Sequence, residues 1–458
     1  MTTAAAPEPE AAAPPRVSFA EAARFWWKLG CINFGGPAGQ IALMHEELVE
    51  RRRWIGEQRF LHALNYCMVL PGPEAQQLAI YIGWLLHRTA GGLMAGVAFV
   101  APGAAFMLLL SWIYATYGRL ATVQAAFTGL RAAVIAIVAA ALLRLAGRAL
   151  RAPLLWALAV AAFAALAVGT PFPAVVLGAG GLGWLVGRLR PELIPQAREG
   201  AHGAAVLDDA GDAARVPWSN RRALRVVALG LVIWLGPLAV LGALLGRDHP
   251  LTREGLFFSK AATVTFGGAY AVLAYIQQEA VARQGWLLPG QMVDGLALAE
   301  TTPGPLILVT EFVGYLGAYR HPGGLSPALA GACGAAVTLW ATFAPCFLWI
   351  FLGAPAIERL RGERRLDAAL AAITAAVVGV IAHLAAGLAV HALFHESSEV
   401  PVLAGSLAVP RLATLDGVAA VLAVAAFAGL RWRRWPVPAV VLGAAALGLL
   451  AYGLGLLS

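Results

Sequence analysis

Two short motifs of glycine and proline, each occurring twice, are the residues whose type and spacing could do chemistry. Phe34-Gly35-Gly36-Pro37 is followed by Pro71-Gly72-Pro73, and Phe266-Gly267-Gly268 is followed by Pro303-Gly304-Pro305. Glycine lets the backbone turn and approach a ligand closely, and proline suits the first turn of a new helix. A helix start presents free N–H groups and the positive end of the helix dipole. These motifs therefore predict helix ends that hold a small anion.

Lysines and neutral polar side chains near the motifs extend this candidate site. The chain has only two lysines, Lys28 and Lys260, and each lies six residues before a Phe-Gly-Gly motif. Two cations at matching positions suit a divalent anion, but each lysine would equally serve as an anchor at the lipid headgroups. The neutral hydrogen-bonding candidates near the motifs are Asn33, Gln76, Gln77, Thr263, Thr265, Thr301 and Thr302.

Four ionisable residues in apolar sequence form a second group of candidates. Glu74 directly follows the first Pro-Gly-Pro motif, Glu300 precedes the second one, Glu311 follows it, and Arg131 lies within an otherwise apolar segment. Ionisable groups at membrane depth are costly, so each is a candidate for function. Each carboxyl group could carry a proton that is coupled to anion movement, or it could pair with a lysine or with Arg131. The sequence leaves both interpretations open.

The two sets of motifs belong to an internal duplication. Residues Phe25 to Ile55 align without gaps on Phe257 to Leu287, and the same offset of 232 residues superposes both lysines and both Pro-Gly-Pro motifs. In a single copy, the glycines would be read as helix-packing residues and the prolines as kinks. Their occurrence in register in both repeats favours a site instead.

Composition requires a membrane as the solvent. The chain is 60% hydrophobic and only 13% charged, whereas about a quarter of the residues of a soluble domain are charged. Its net charge of +8 comes from clusters at the ends of apolar runs, which argues against a nucleic-acid partner. About nine runs are long enough to span the bilayer, near residues 91–117, 123–149, 153–169, 172–188, 222–246, 324–353, 366–393, 413–430 and 434–457.

The remaining apolar segments predict the fold class and its orientation. Between Phe25 and Arg88, and between Phe257 and Arg320, the motifs cut the apolar runs into half-length helices, which suggests two broken-helix hairpins in each repeat. Five spans separate the two sets of hairpins, so the repeats are expected to be inverted. The positive-inside rule agrees, because the predicted outer side carries only Arg119, Arg247, Arg253, Arg283, Arg320 and Arg411.

The predicted architecture is an all-α polytopic membrane protein with inverted-topology repeats, each with about four full spans. The N-terminus would be cytoplasmic and the C-terminus periplasmic. The predicted units are a disordered tail (1–18), repeat 1 (19–190), a basic cytoplasmic loop (191–221), a linking transmembrane helix (222–247) and repeat 2 (253–458).

Signs of catalysis or of a bound cofactor are few. The sequence has no HExxH, P-loop or GxSxG motif, and its nine histidines are scattered. The four cysteines lie in apolar sequence without metal-binding spacing, so neither a metal nor a disulfide is expected. We therefore expect a protein that is not an enzyme and needs no cofactor.

The combined motifs resemble the chromate ion transporter family in its long-chain, two-domain form. The resemblance rests on FGGP at 34–37, the following RRRWI, LPGPEAQQLA at 70–79, and FGG with ETTPGPL in the second half. It implies a bacterial inner-membrane exporter of chromate, with sulfate as a look-alike, that confers chromate resistance and is driven by the proton motive force or by anion exchange. It also implies a site at both sets of motifs. Ala269 replaces the second motif's proline, so the two hairpins are not expected to be equivalent.

Two other classes of function remain open at this stage. An uncoupled anion channel or a scramblase could use the same inverted hairpins, and a membrane enzyme acting on a lipid precursor would need a catalytic group that the sequence does not reveal. The expected partners are the oxyanion and the lipid bilayer, without nucleic acid, and the sequence leaves a homodimer open.

Overall fold

The computed structural model of the 458-residue chain describes residues 17–34, 36–194, 219–265, 269–288, 290–355, 364–394, 396–402 and 405–456. Most of the tail that was predicted over residues 1–18 lies outside the described residues. The same holds for residues 195–218 of the predicted basic loop.

The first repeat begins with short helices separated at the two motifs. Helix α1 starts after Ser18, whose hydroxyl accepts the Glu21 N–H (3.2 Å), an N-cap that satisfies one of the free donors of the first turn. It ends at Ile32, and the next helix starts at Gly36, where φ is +68°. The elements are α1 (Phe19–Ile32), α2 (Gly36–His45), a π-helical turn (Glu46–Arg51), α3 (Glu57–Val69) and α4 (Glu74–Tyr117).

The second repeat copies this series of short helices. The π-helical turns of the two repeats begin and end at positions that correspond at the 232-residue offset. Because π-helix is rare in proteins, this agreement supports the duplication. Helix α4 departs from helical geometry at His87 and Arg88, close to where the second repeat has a full break between two helices. The elements are α9 (Pro250–Thr263), α10 (Ala269–Gln277), a π-helical turn (Gln278–Arg283), α11 (Gln291–Thr301), α12 (Val309–Arg320) and α13 (Pro327–Gly353).

Each predicted span coincides with a helix. Five helices are long and apolar enough to cross a membrane: α4, α5 (Ala121–Ala149), α8 (Asn220–Leu245), α13 and α14 (Arg364–Leu393). Four others are apolar but shorter, at 15 to 18 residues: α6 (Pro153–Ala167), α7 (Phe172–Leu189), α15 (Gly417–Arg431) and α16 (Val437–Gly453). The expectation of a helical, multi-pass protein is confirmed.

Helices of the two repeats exchange partners in the packed structure. Helix α5 packs against α15 and α16 of the second repeat, while α14 packs against α6 and α7 of the first. These crossings are close because small residues lie in them, as is common between membrane helices. Gly448 of α16 faces Ala125 and Gly129 of α5, and Gly379 of α14 faces Ala159 of α6. Both repeats therefore contribute to one joint core.

Within the described residues, a small β-hairpin is the one departure from the all-α expectation. Strands β1 (Ser397–Val402) and β2 (Gly405–Pro410) pair antiparallel in the segment between α14 and α15. At its base, the Arg411 guanidinium donates to the Glu396 carboxylate (2.6 Å). The hairpin connects α14 to α15 and leaves the helical core unchanged.

Candidate functional site

The broken segments of one repeat are hydrogen-bonded to those of the other. The Gly72 N–H donates to the carbonyl oxygen of Thr265 (2.8 Å), and the Gly304 N–H donates to the carbonyl oxygen of Asn33 (2.9 Å). The two bonds are equivalent, because the offset of 232 residues superposes Gly72 on Gly304 and Asn33 on Thr265. Each Pro-Gly-Pro motif thus binds the chain that leads into the Phe-Gly-Gly motif of the opposite repeat. We call this four-segment meeting point the junction.

Glycine is required at the turning point of each Pro-Gly-Pro motif. Gly72 has φ +124° and Gly304 has φ +99°, values that side-chain-bearing residues rarely adopt. A Cβ atom on Gly72 would also lie 2.8 Å from the Cys346 sulfur, and one on Gly304 would lie 2.9 Å from a Leu308 methyl carbon. The junction is therefore a tightly packed crossing.

Buried amide side chains surround the junction. Asn33, Gln76 and Gln77 are each at most 1% exposed, and so is Gln40, which the sequence analysis missed. The Gln40 amide donates to the Gly304 carbonyl (2.5 Å), and the Gln77 amide donates to the Pro71 carbonyl (2.8 Å).

Several polar atoms of these side chains have no hydrogen-bond partner within the described part of the chain. They are both polar atoms of the Asn33 side chain and the amide oxygens of Gln40, Gln76 and Gln77. Buried polar groups are normally bonded, so these atoms are available to a ligand or to water.

The predicted threonines contribute less than expected. The hydroxyl groups of Thr263, Thr265, Thr301 and Thr302 all donate to backbone carbonyl groups three or four residues earlier in the chain. Thr265 and Thr302 are buried, while Thr301 is half-buried. Because such a hydroxyl still has an oxygen lone pair but no spare proton, it offers nothing to an anion in this arrangement.

The backbone amides of the predicted anion cradle are only partly available. The Gly72 and Gly304 N–H groups are already bonded across the junction, so they stabilise the crossing instead of facing a ligand. Phe34 and Gly36 are half-buried, and Pro71, Pro73, Pro303 and Pro305 line the two turns. Gly35, Gly267 and Gly268, like Phe266, lie outside the described residues, as does the side chain of Pro37.

The two lysines lie on the surface of the protein. Lys28 on α1 and Lys260 on α9 are both exposed, and beside Lys28 the aromatic side chain of Trp27 is also exposed (55%). The structure does not bring the lysines into the buried junction. Their matched, exposed positions are those that membrane anchors would occupy.

Among the acidic and basic candidates, Arg131 has a partner that the sequence did not suggest. Glu300 and Glu311 are buried and Glu74 is half-buried, but the partner of Arg131 is Asp294, which the sequence analysis did not single out. The Arg131 Nε donates to Asp294 Oδ1 (2.5 Å) and its Nη2 donates to Oδ2 (2.9 Å). The pair connects α5 of repeat 1 to α11 of repeat 2.

Glu254 is a further buried acid that sequence reasoning missed. It is wholly buried on α9, and neither carboxylate oxygen has a hydrogen-bond partner among the described residues. Gly317 and Gly334 provide its space, because a Cβ atom on either glycine would lie within 2.8 Å of a carboxylate oxygen. Glu254 and Asp294 both lie in short helices that are largely buried, and an acid at membrane depth is a candidate for function.

The described residues contain no cluster suited to a metal ion. No group of three or more His, Cys, Asp or Glu side chains among them is arranged to hold one, and the four cysteines are free thiols. The polar features of the site are therefore the amides of the junction and the buried ionisable residues.

Comparisons with known proteins agree with this architecture. The profile of the Chromate transporter family matches residues 20–184 and again residues 254–449, one match in each repeat. The chain is 30% identical to a chromate transport protein of Cupriavidus metallidurans, over 96% of this chain and 95% of that protein. It is 32% identical to a chromate transport protein of Pseudomonas aeruginosa, over 81% of each chain. No solved structure matches the chain significantly.

Proposed function

This chain belongs to the chromate transporter family, and from that premise we propose that it is a secondary transporter that exports a divalent oxyanion. The substrate is chromate, with sulfate as the chemically similar alternative, and the membrane is the bacterial inner membrane. Export of this kind confers resistance to chromate. The driving force is the proton motive force or exchange against another anion.

The observation that carries this proposal is the reciprocal bonding at the junction. Discontinuous helices that meet at membrane depth are how many secondary transporters form a substrate site. Here the turns of both repeats interlock, and buried amides with unsatisfied polar atoms surround them. An oxyanion accepts hydrogen bonds, so the Asn33 amide nitrogen is its first candidate donor.

We assign the remaining candidate residues as follows. Lys28 and Lys260 anchor their helices at the membrane surface, because their side chains are exposed. The Pro-Gly-Pro turns fix the geometry of the binding region, and the Phe-Gly-Gly segments contribute backbone amides. The buried carboxyl groups of Glu300, Glu311 and Glu254, together with Glu74, are the candidates for a proton carrier.

The proposed topology has repeats that run in opposite directions through the membrane. The interchange of helix partners and the reciprocal bonds of the junction support a twofold relation between the repeats. With the N-terminus in the cytoplasm and the C-terminus in the periplasm, rocking of one repeat against the other alternately opens the junction to each side.

Counterflow in proteoliposomes tests the function and the site together. Wild-type protein should exchange labelled chromate, and sulfate should compete. The isosteric change Asn33→Asp places a negative charge at the junction, so flux should fall at least about tenfold because like charges repel. Asn220→Asp, at the exposed start of α8, is the matched control and should retain flux. Lys28→Ala and Lys260→Ala should also retain it.

The results also separate the alternatives. Equal flux in the Asn33→Asp and Asn220→Asp variants would remove the junction as the binding site, and no wild-type counterflow would end the transporter proposal. An uncoupled channel would show flux that neither saturates nor responds to a proton gradient. Gln variants of the four acids identify the carrier, because losing it should abolish gradient-driven accumulation while counterflow persists.

A further inference from the structure

An open cavity of about 240 Å³ lies between the repeats, away from the junction. It is lined by the C-terminal ends of α4 and α12 and by the N-terminal ends of α5 and α11. Asp294, on its wall, lies nine residues before Pro303. Along a helix this separation corresponds to roughly 13 Å. The cavity is therefore distinct from the junction, and α11 connects the two.

The charge of the cavity walls is strongly unbalanced. Arg119, Arg131 and Arg320 line it, and Asp294 is the only acid among the described lining residues. Arg320 donates to neutral acceptors, the Trp286 carbonyl (2.6 Å) and the Gln291 side-chain oxygen (2.5 Å), and no carboxylate of the described residues pairs with it. An excess of two positive charges between low-dielectric walls concentrates the field and attracts a divalent anion.

Asp294 occupies the place that such an anion would take. Its carboxylate accepts two hydrogen bonds from the Arg131 guanidinium and a third from the Tyr114 hydroxyl (2.7 Å). The Asp294 side chain is 1% exposed, whereas that of Arg131 is 35% exposed and reaches the cavity. A tetrahedral oxyanion presents oxygen pairs that fit the same guanidinium fork.

We propose that this cavity is an oxyanion-binding vestibule in which the transported anion competes with Asp294 for Arg131. The inference rests on the proposed function, since it assigns a second binding place to the same substrate class. On the predicted periplasmic side, where Arg119 and Arg320 line the cavity, the exported anion takes over the Arg131 guanidinium and releases Asp294 before it leaves. Because Arg131 belongs to repeat 1 and Asp294 to repeat 2, occupation of the vestibule breaks a bridge between the repeats.

Two variants with opposite effects test the competition. Arg131→Gln removes the guanidinium that binds the anion. The KM for chromate counterflow should therefore rise by about tenfold or more, as expected for the loss of a charge-assisted hydrogen bond. Asp294→Asn removes the competitor, so chromate should bind more tightly, by about threefold or more. Arg283→Gln, which removes an exposed arginine outside the cavity, is the charge-matched control and should leave the KM unchanged.

A binding readout keeps this test separate from transport. In detergent, chromate should raise the thermal unfolding midpoint of the wild type and of Asp294→Asn more than that of Arg131→Gln, in which only the junction remains to bind it. Weaker chromate binding in Asp294→Asn, or an unchanged KM in Arg131→Gln, would contradict the proposal that the vestibule binds the anion. If the wild-type protein shows no counterflow but chromate raises its unfolding midpoint in an Arg131-dependent way, only the transport proposal is wrong. If it shows neither counterflow nor this shift of the midpoint, both the transport proposal and the vestibule proposal are wrong.

Discussion

The two glycines of the junction show how a single residue type can determine a crossing of the chain. Gly72 and Gly304 combine a positive φ with close neighbours, so neither the backbone conformation nor the space admits a side chain. Their N–H groups are used for the bonds between the repeats. At the residue scale, the conformation of the motif matters at least as much as any direct role in binding.

We expect Gly72→Ala and Gly304→Ala to lower the free energy of unfolding by about 1–3 kcal/mol each, the usual cost of a residue in a disfavoured backbone region. The thermal unfolding midpoint in detergent measures this. Gly147→Ala on α5 is the control, because a Cβ atom there has no neighbour within 4 Å. If all three variants melt alike, the strain argument at the junction is wrong.

Close contact between helices decides which elements become partners. Helix α16 is almost uniformly apolar, so its sequence gives no strong preference for one face. Gly448 nevertheless faces the backbone of α5, where a Cβ atom would lie 3.0 Å from the Gly129 nitrogen, while Gly443 of the same helix has no neighbour within 4 Å. The partner exchange between the repeats therefore depends on which small residues lie in the crossings.

We expect Gly448→Val to force α16 away from α5 and to lower the free energy of unfolding by about 1–3 kcal/mol, as overpacking does in a close-packed interior. Gly443→Val makes the same change on the exposed face of the same helix and should have little effect. Thermal unfolding in detergent compares them directly. A larger loss for Gly443→Val would show that the crossing of α5 and α16 is wrong.

At the scale of the whole molecule, the two halves share one architecture and form a joint core. The π-helical turns, the junction bonds and the aromatic pairs Phe25–Trp54 and Phe257–Trp286 all recur at the same offset. The number of spans between these halves predicts opposite orientations, and the arginine distribution predicts the same.

Single cysteines at matching positions should report these orientations. Arg51 and Arg283 are exchanged by the offset, and both side chains are more than 60% exposed. In a background with the exposed Cys31 replaced by serine, a membrane-impermeant thiol reagent added to whole cells should label Arg283→Cys but not Arg51→Cys. Permeabilised cells, in which both should react, are the control. Labelling of both in intact cells would make the repeats parallel.

The sequence by itself determined that the chain lies in a membrane, that it is an internal duplication, and where its helices break. Apolar length, glycine, proline and internal repetition are local properties of the chain, so the spans, both Pro-Gly-Pro turns and the family motifs could be read from it. Even the choice of Asn33, Gln76 and Gln77 followed from their distance to the breaks, and all three are buried near the junction.

Only the tertiary structure decided which of these residues meet. The partner of Arg131 is Asp294, 163 residues away, and the partner of Gly72 is Thr265 of the other repeat. Nothing in local sequence encodes such pairs, because they depend on how two half-buried sets of helices cross. The same holds for Lys28 and Lys260, whose spacing matched a site but whose helix faces point outwards. Spacing places a residue along a helix, and packing decides what it faces.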